Sequence, residues 1–255
     1  MEILFIFYYS LKKAGIELRL IVTENYETLS QLTADADIIL MKWAENRRMN
    51  LALTAGSSPK RAYKILADRL KQVDFDKSLA HFYNFDEITL MNQKYGLTMQ
   101  ALQEELYHPL GIKDENIEVL DAKNYQTYDR KIAEDGGLDL VLMGIGNDGH
   151  FCGNMPEFMS FDYGVYRVPI DPADEMYKLI DGMTPYTPGK EMVTFGTQTI
   201  LGAKELVLIA SGEKKASIIK QALEGPITED VPASVLRLHP NVTVLLDKEA
   251  AIYLD

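Results

Sequence analysis

Short apolar runs alternate with segments of helical periodicity along most of this chain. From Glu17 onward, the run LRLIVT predicts a strand, and apolar residues then recur at helical spacing from Leu29 to Trp43. The same alternation continues through LALTA, LAHFYNF, LDLVLMG, KELVLIA and VTVLL, each of which predicts a further strand. Several of these runs are apolar throughout, which is typical of strands buried on both faces of a parallel sheet. The pattern therefore predicts an α/β fold in a single domain, with a largely parallel central sheet and helices on both faces.

The N-terminal residues do not follow this pattern. MEILFIFYYSLKKAGI opens with about nine apolar residues and places its lysines after them, which is the reverse of the order in a secretory signal. The run is also shorter than the roughly 20 residues that a membrane helix needs. We interpret residues 1–16 as a leader or a mis-assigned start and residues 17–255 as the folded domain. The proline-containing stretch 160–192 is the least regular part of that domain.

Composition and charge narrow the range of partners. The chain has 255 residues and a formal net charge of −12. A surface this acidic argues against nucleic acid or an anionic membrane as the main partner. A small anionic ligand remains compatible with the composition if its site supplies a local positive field. The single cysteine, Cys152, excludes a disulfide framework and suits a reducing compartment, so we expect a cytoplasmic protein. The sequence leaves the oligomeric state open, and a homo-oligomer is possible.

The stretch GIGNDGHFCGNMP contains the G-x-G-x-x-G pattern of dinucleotide-binding loops at Gly144, Gly146 and Gly149. In such loops the third glycine begins a helix that packs on the preceding strand. Here Gly153 and Pro156 follow within two turns, and both residue types disfavour a helix. The stretch therefore predicts a tight loop whose backbone approaches a small ligand, and not a nucleotide site.

Two short segments supply candidate acid–base residues at the ends of predicted strands. In NDGH, Asp148 stands two residues before His150, close enough for the carboxylate to orient the imidazole, and histidine suits proton transfer near neutral pH. The alternative is that Asp148 caps a turn and His150 only packs. In FYNFDEI, Asp86 and Glu87 follow an apolar run, where one acidic residue is usually a turn former or helix cap and two permit an acid–base role. Ligands of parallel sheets bind at these strand ends, which favours the catalytic interpretation of both segments.

The segment TAGSSPK predicts a phosphate-binding loop. Gly56 lets the chain approach a ligand, Ser57 and Ser58 offer hydroxyl and backbone N–H groups, and a helix beginning at Pro59 adds its positive dipole end. An ordinary helix cap is the alternative. The segment also spells S-x-x-K, but the other motifs of serine β-lactamases are missing.

A second strand–Ser–Gly–helix arrangement occurs in LVLIASGEKKA. Its Lys214 and Lys215 lie in the predicted first turn of a helix, where positive charge opposes the helix dipole. A bound anion would offset that cost, and a role in solubility is the alternative.

These segments, in this order, resemble the glucosamine-6-phosphate deaminase/isomerase family and its relatives, the 6-phosphogluconolactonases. The resemblance runs from about Leu18 to Leu246 and is carried by LALTAGSSP, FYNFDE, LDLVLMGIGNDGH, TFGTQTILGAKELVLIASGEKKA and LEGPITEDVPASVLRLHPN. It implies a modified Rossmann-like fold and chemistry without a metal or nucleotide cofactor. It also implies that Asp86 moves a proton between sugar carbons one and two, that His150 opens the pyranose ring, and that Asp148 supports His150. The residues that it implies for the 6-phosphate are Gly56, Ser57, Ser58 and Lys215.

The chain departs from the deaminase pattern at two positions. Deaminases read G-H-x-x-x-N-E-P, and Met155 occupies the position of that glutamate, although methionine cannot carry a proton. In the deaminases an arginine holds the phosphate, and Lys178 aligns with that arginine. Lysine keeps the positive charge but cannot donate the two parallel hydrogen bonds of a guanidinium group. Asn154 and Asn84 fit the deaminases, and we assign Asn154 to substrate binding.

Three functions remain open from the sequence. We favour an isomerase, deaminating or not, that acts on an amino-hexose 6-phosphate through Asp86 and His150. Hydrolysis of a sugar-phosphate lactone is the second interpretation, because it needs one proton acceptor and tolerates Met155 more easily. A sugar-phosphate sensor without catalysis is the third. We do not expect Glu157 to replace the missing carboxylate, because Pro156 constrains its direction.

Overall fold

A computed structural model describes residues 7–13, 16–43, 47–71 and 77–254 of the chain. The strands are β1 (Phe7–Lys13), β2 (Ile16–Thr23), β3 (Met49–Leu53), β4 (Ala80–Tyr83), β5 (Asp86–Leu90), β6 (Ile117–Glu118), β7 (Leu140–Met143), β8 (Val165–Pro169), β9 (Pro188–Phe195), β10 (Glu205–Ala210) and β11 (Val242–Asp247). The α-helices are α1 (Tyr26–Trp43), α2 (Lys60–Leu70), α3 (Leu97–Leu102), α4 (His108–Leu110), α5 (Tyr125–Glu134), α6 (Glu175–Asp181), α7 (Thr197–Leu201) and α8 (Ala216–Glu224). A π-helical turn, Gln103–Tyr107, joins α3 to α4.

The main sheet has the strand order β1-β2-β11-β10-β7-β3-β4-β6. Every neighbouring pair from β2 to β6 is parallel, and only β1 pairs antiparallel, with β2. The predicted α/β fold with a largely parallel central sheet is therefore confirmed. Strand β1 lies within the segment that we interpreted as a leader, while residues 1–6 and 14–15 are outside the described residues. The boundary at residue 17 stays a prediction.

Alternate strand residues face two different hydrophobic layers. In β7, Val141 and Met143 join the layer that also contains α5, α7 and α8, whereas Leu140 and Leu142 join the layer that contains α1, α2 and α3. All four side chains are almost fully buried. The continuous apolar run LVLM thus reflects a strand covered by helices on both faces.

A small antiparallel sheet, β5-β9-β8, adjoins the main sheet. Its own apolar cluster includes Val168, Ile170 and Met192 and is covered by Ile180 of α6. The stretch 160–192, irregular by sequence, supplies two of the three strands and α6. The small sheet therefore extends the molecule beside the carboxyl end of β4, from which β5 follows after two residues.

No helix among the described residues is long and apolar enough to cross a membrane.

Candidate active site

The candidate site lies at the carboxyl edge of the main sheet, where four adjacent strands end. The order β10-β7-β3-β4 is continuous, and all three pairings are parallel. The loops that follow these strands are the four segments singled out in the sequence. Parallel neighbours end at the same edge of a sheet, so the topology brings the predicted phosphate loop and the predicted acid–base residues together.

The loop after β3 turns at Gly56 and is held by Tyr26. Gly56 has a φ of +101°, a conformation that L-residues with side chains rarely adopt, and Ser57 is exposed. The hydroxyl of Tyr26, the first residue of α1, lies 3.0 Å from the carbonyl oxygens of both Ser57 and Ser58. The same hydroxyl accepts the backbone N–H of Arg61 at 3.4 Å. Helix α2 begins at Lys60, one residue later than predicted, and its N-terminus points its dipole toward this loop.

Lys215 joins the loop after β10 to the loop after β7. Its Nζ donates to the carbonyl oxygen of Ile145 at 2.6 Å, and the side chain is half-buried. A Cβ at Gly144 would lie 3.8 Å from Ser58 Oγ, so the serine loop, the glycine loop and Lys215 are contiguous. Burial lowers the pKa of Lys215, and the nearby Asp148 charge opposes that change. A cation and a helix N-terminus thus border one space, a combination suited to a phosphate group.

Asp148 orients His150 in the loop after β7. Asp148 Oδ1 lies 2.6 Å from His150 Nδ1 and accepts the His150 backbone N–H at 3.1 Å. Partial burial raises the pKa of Asp148, but the His150 hydrogen bonds and charge outweigh that effect and lower it to about 2. This pairing assigns the proton of the neutral ring to Nδ1 and leaves Nε2 for proton exchange with a ligand.

Gly146 is required for this arrangement. A Cβ at this position would lie 2.2 Å from His150 Cε1 and Nδ1 and 2.6 Å from Asp148 Oδ1. The Gly146 backbone N–H also donates to the His150 carbonyl at 2.8 Å. The second glycine of the G-x-G-x-x-G pattern therefore makes room for an imidazole.

Asp86 is the second acid–base candidate and lies at the first position of β5. Its Oδ1 accepts the hydroxyl of Thr98 at 2.9 Å. Burial raises the pKa of Asp86 to about 6, although the Thr98 hydrogen bond and the nearby His150 act to lower it. A carboxyl group in this range is ionised at neutral pH and still accepts a proton readily, which suits a general base.

Glu87 turns away from the candidate site, although it is adjacent to Asp86 in the sequence. Its carboxylate accepts the backbone N–H of Thr98 at 3.0 Å and of Met99 at 3.3 Å, at the start of α3. Burial and the Asp86 charge raise the pKa of Glu87 to about 8, against the effect of these backbone hydrogen bonds. Successive strand residues point to opposite faces, so only one of the two predicted acids reaches the ligand space.

Two buried asparagines connect the loops through hydrogen bonds to backbone groups. Asn154 is fully buried, and its Nδ2 donates to the carbonyls of Phe151 at 3.0 Å and Phe195 at 2.8 Å. Asn84 exchanges hydrogen bonds with the backbone of Leu120 on both its Nδ2 and its Oδ1. The Asn154 amide donors are used within the protein, and the substrate-binding role of Asn154 stays a prediction.

Lys178 and Met155 lie on the side of the small sheet. Lys178 is exposed on α6, with its Nζ 2.7 Å from Glu175 Oε1. Met155 is half-buried against the apolar cluster of the small sheet, together with Ile88 and Tyr166. The position that carries a glutamate in the family's pattern is thus part of an apolar contact. The binding role of Lys178 stays a prediction.

Tyr26 and Thr98 were not found by sequence reasoning. Tyr26 holds the serine loop through its hydroxyl, and Thr98 contacts Asp86. Neither residue lies in a motif: Tyr26 reaches the serine loop from α1, and Thr98 lies in α3, 12 residues after Asp86. Within the described residues, no group of three or more His, Cys, Asp and Glu side chains could hold a metal ion.

Comparisons with known proteins identify the family of this chain. The family described as glucosamine-6-phosphate isomerases/6-phosphogluconolactonase matches residues 27–245. A glucosamine-6-phosphate deaminase of Thermoanaerobacter pseudethanolicus is 30% identical over 245 residues, covering 92% of this chain and 94% of that protein. A deaminase of the same name from Clostridium botulinum (strain Alaska E43 / Type E3) is 31% identical, covering 93% of this chain and 97% of that protein.

Solved structures give the same assignment at the level of the fold. A monomeric glucosamine-6-phosphate deaminase superimposes with a TM-score of 0.80 at 27% identity, covering 91% of this chain and 98% of that one. A 6-phosphogluconolactonase from Trypanosoma cruzi shares the fold, with a TM-score of 0.72 at 22% identity and coverage of 97% and 98%. The resemblance found in the sequence motifs is confirmed, and the chain belongs to the glucosamine-6-phosphate isomerase/6-phosphogluconolactonase family.

Proposed function

We propose that this protein is an isomerase that deaminates an amino-hexose 6-phosphate, either glucosamine 6-phosphate or galactosamine 6-phosphate. The observation that carries the proposal is that Asp86 and the Asp148–His150 pair lie at the sheet edge next to the serine loop and Lys215. The serine loop, with the N-terminus of α2, and Lys215 form what we call the phosphate cradle. An amino-hexose 6-phosphate has its dianion at one end and its reacting carbons at the other. The curated relatives with about 30% identity are glucosamine-6-phosphate deaminases.

The phosphate would lie between the serine loop and Lys215. Backbone and hydroxyl groups of Ser57 and Ser58 would donate to its oxygens, and Lys215 would supply the positive charge. Hydrogen bonds to charged groups contribute about 1.5–3 kcal/mol each, enough for a few of them to retain a small substrate. This local positive field also explains how a protein of net charge −12 binds an anion.

The reaction then needs three proton shifts. His150 Nε2 would take the proton of the sugar's anomeric hydroxyl and deliver it to the ring oxygen, which breaks the bond between carbon one and the ring oxygen and opens the ring. Asp86 would remove the proton from carbon two and return it to carbon one, and a proton would pass from the amino group to the oxygen on carbon one, which turns the amino aldose into a ketose imine. Water adds to this imine and releases ammonia, so the balance is amino-hexose phosphate plus water giving ketose phosphate plus ammonia. Each positioned acid or base contributes about 10²–10⁴-fold in rate.

Lactone hydrolysis is the second candidate, favoured by one observation. Met155 packs in the apolar cluster of the small sheet, so the position that is a glutamate in the deaminase pattern adds no carboxylate. Hydrolysis of a 6-phosphogluconolactone needs only one proton acceptor for the attacking water. His150 could serve as that acceptor with the phosphate cradle unchanged.

The deciding experiment supplies both substrate classes to the purified protein. Glucosamine 6-phosphate and galactosamine 6-phosphate are tested for ammonia and ketose phosphate, and 6-phosphogluconolactone is tested for acid release. Ammonia production that disappears in Asp86→Asn supports the proposal. Lactone cleavage that survives Asp86→Asn would establish the hydrolase instead, and binding without any turnover would leave a sugar-phosphate sensor.

A further inference from the structure

Thr98 contacts both acidic residues that follow β4. Its hydroxyl donates to Asp86 Oδ1 at 2.9 Å, and its backbone N–H donates to Glu87 Oε1 at 3.0 Å. The residue is the second of α3 and is almost buried. One residue thus ties the candidate base to the helix N-terminus that Glu87 caps.

We propose that Thr98 is a positioning residue for Asp86: its hydroxyl holds Oδ1, so that Oδ2 is the oxygen that exchanges a proton with the substrate. The inference rests on the proposed role of Asp86 as the base. A carboxylate with one oxygen held by a donor has fewer orientations than a free one. Correct orientation of a base is worth a large factor in rate, because proton transfer requires a short and aligned contact.

Glu87 and Gly96 make the Thr98 position rigid. The Glu87 carboxylate binds the first backbone N–H groups of α3, including that of Met99 at 3.3 Å. Gly96 precedes the helix, and a Cβ there would lie 2.2 Å from the Ile88 carbonyl oxygen and 2.4 Å from Glu87 Oε1. The start of α3 is therefore packed directly on β5, and Thr98 cannot move away from Asp86 without breaking the cap.

The electrostatic setting of Asp86 predicts a measurable consequence. The groups that lower the pKa of its carboxyl are the Thr98 hydroxyl from α3 and His150 from the loop after β7, and the Asp86 charge in turn raises the pKa of Glu87 on its own strand and of Cys152 in the loop after β7. Thr98 supplies a hydrogen bond to the ionised form, and such a bond lowers the pKa of a carboxyl group. Loss of the hydroxyl therefore raises the pH at which Asp86 titrates.

The test uses Thr98→Val, which keeps the branched shape, and Thr98→Ser, which keeps the hydroxyl. The Asp86 carboxyl is followed by carbon-13 NMR titration without substrate, and Asp86→Asn identifies its signal. We expect Thr98→Val to move the Asp86 midpoint up by about 0.5–1 pH unit and Thr98→Ser to restore it. With substrate, we expect Thr98→Val to lower kcat about 10-fold with little change in KM. The acid side of its pH–kcat profile should shift together with the Asp86 midpoint measured by NMR.

Thr33→Val is the matched control. Thr33 is also buried, and its hydroxyl donates to the Leu29 carbonyl within α1 at 2.9 Å. An unchanged Asp86 midpoint in Thr98→Val overturns the inference, as does a Thr98→Ser protein that behaves like Thr98→Val, because packing would then be the role. If none of the sugar phosphates is turned over, the proposed function fails, and the NMR titration still decides the role of Thr98.

Discussion

The two carboxylates beside the ligand space, Asp86 and Asp148, are held in opposite environments. Asp86 is half-buried, with a hydroxyl as its donor, and desolvation raises its pKa to about 6. Asp148 is exposed on one side and paired to His150, and its pKa falls to about 2. The difference shows that burial and pairing, and not residue type, divide the roles: Asp86 is suited to move a proton, and Asp148 to remain charged and orient a ring.

Of the two carboxylates, Asp86 is the proposed proton acceptor, and we expect its removal to have the largest effect on the reaction rate. Asp86→Asn keeps the shape and can still accept the Thr98 hydrogen bond, but it cannot take a proton. We expect kcat for the amino-hexose 6-phosphate to fall by about 10²–10⁴-fold with KM nearly unchanged. Steady-state assays of ketose phosphate measure this change. A loss confined to KM would assign Asp86 to binding instead.

The same variant should be more stable than the parent protein at high pH. The Asp86 pKa is raised from 3.8 in the unfolded chain to about 6, so its ionisation opposes folding as pH rises through that interval. Two pKa units correspond to about 3 kcal/mol of free energy of unfolding. We expect Asp86→Asn to gain up to about that amount at pH 8 and less than about 1 kcal/mol at pH 4. Urea unfolding at both values checks it, and an equal change at both would show an effect unrelated to the proton.

Removing the charge of Asp148 should reduce the reaction rate less than removing the carboxylate of Asp86. Asp148→Asn loses the carboxylate that selects the Nδ1 proton of His150. We expect kcat/KM to fall about 10–100-fold, because groups that orient a functional histidine contribute on this scale. Nitrogen-15 NMR of His150 provides the structural readout, since the tautomer should become mixed. A wild-type tautomer with reduced rate would point to an electrostatic role for Asp148.

The smallest effect is expected at the phosphate loop. Tyr26→Phe removes the hydroxyl that lies 3.0 Å from the Ser57 and Ser58 carbonyls. A more mobile loop should raise KM a few-fold and leave kcat unchanged, since a neutral hydrogen bond is worth about 1 kcal/mol. Tyr253→Phe is the control, because Tyr253 is exposed on the C-terminal turn. An altered kcat with normal KM would contradict a role limited to the loop.

The main sheet was predictable because its strands are buried on both faces. Runs such as LVLM and LVLIA stand out against the helical segments, and parallel pairing places their loops at one edge. The small sheet was not predictable in the same way. Strand β8 has two half-buried residues followed by an exposed, a buried and an exposed one, and β9 pairs with β5 about a hundred residues earlier. Such strands have weak local patterns, and their pairing is a long-range contact.

The amino-acid sequence by itself determined the layered α/β architecture, the four loops of the edge and the residue types that they carry. Only the tertiary structure decided that Glu87 caps α3 while Asp86 accepts the Thr98 hydroxyl, and that the Tyr26 hydroxyl contacts the serine loop. Periodicity and turn residues are local properties of the chain. Which of two adjacent acids caps a helix, and which hydroxyl reaches the other acid, depends on how α3 packs against β5.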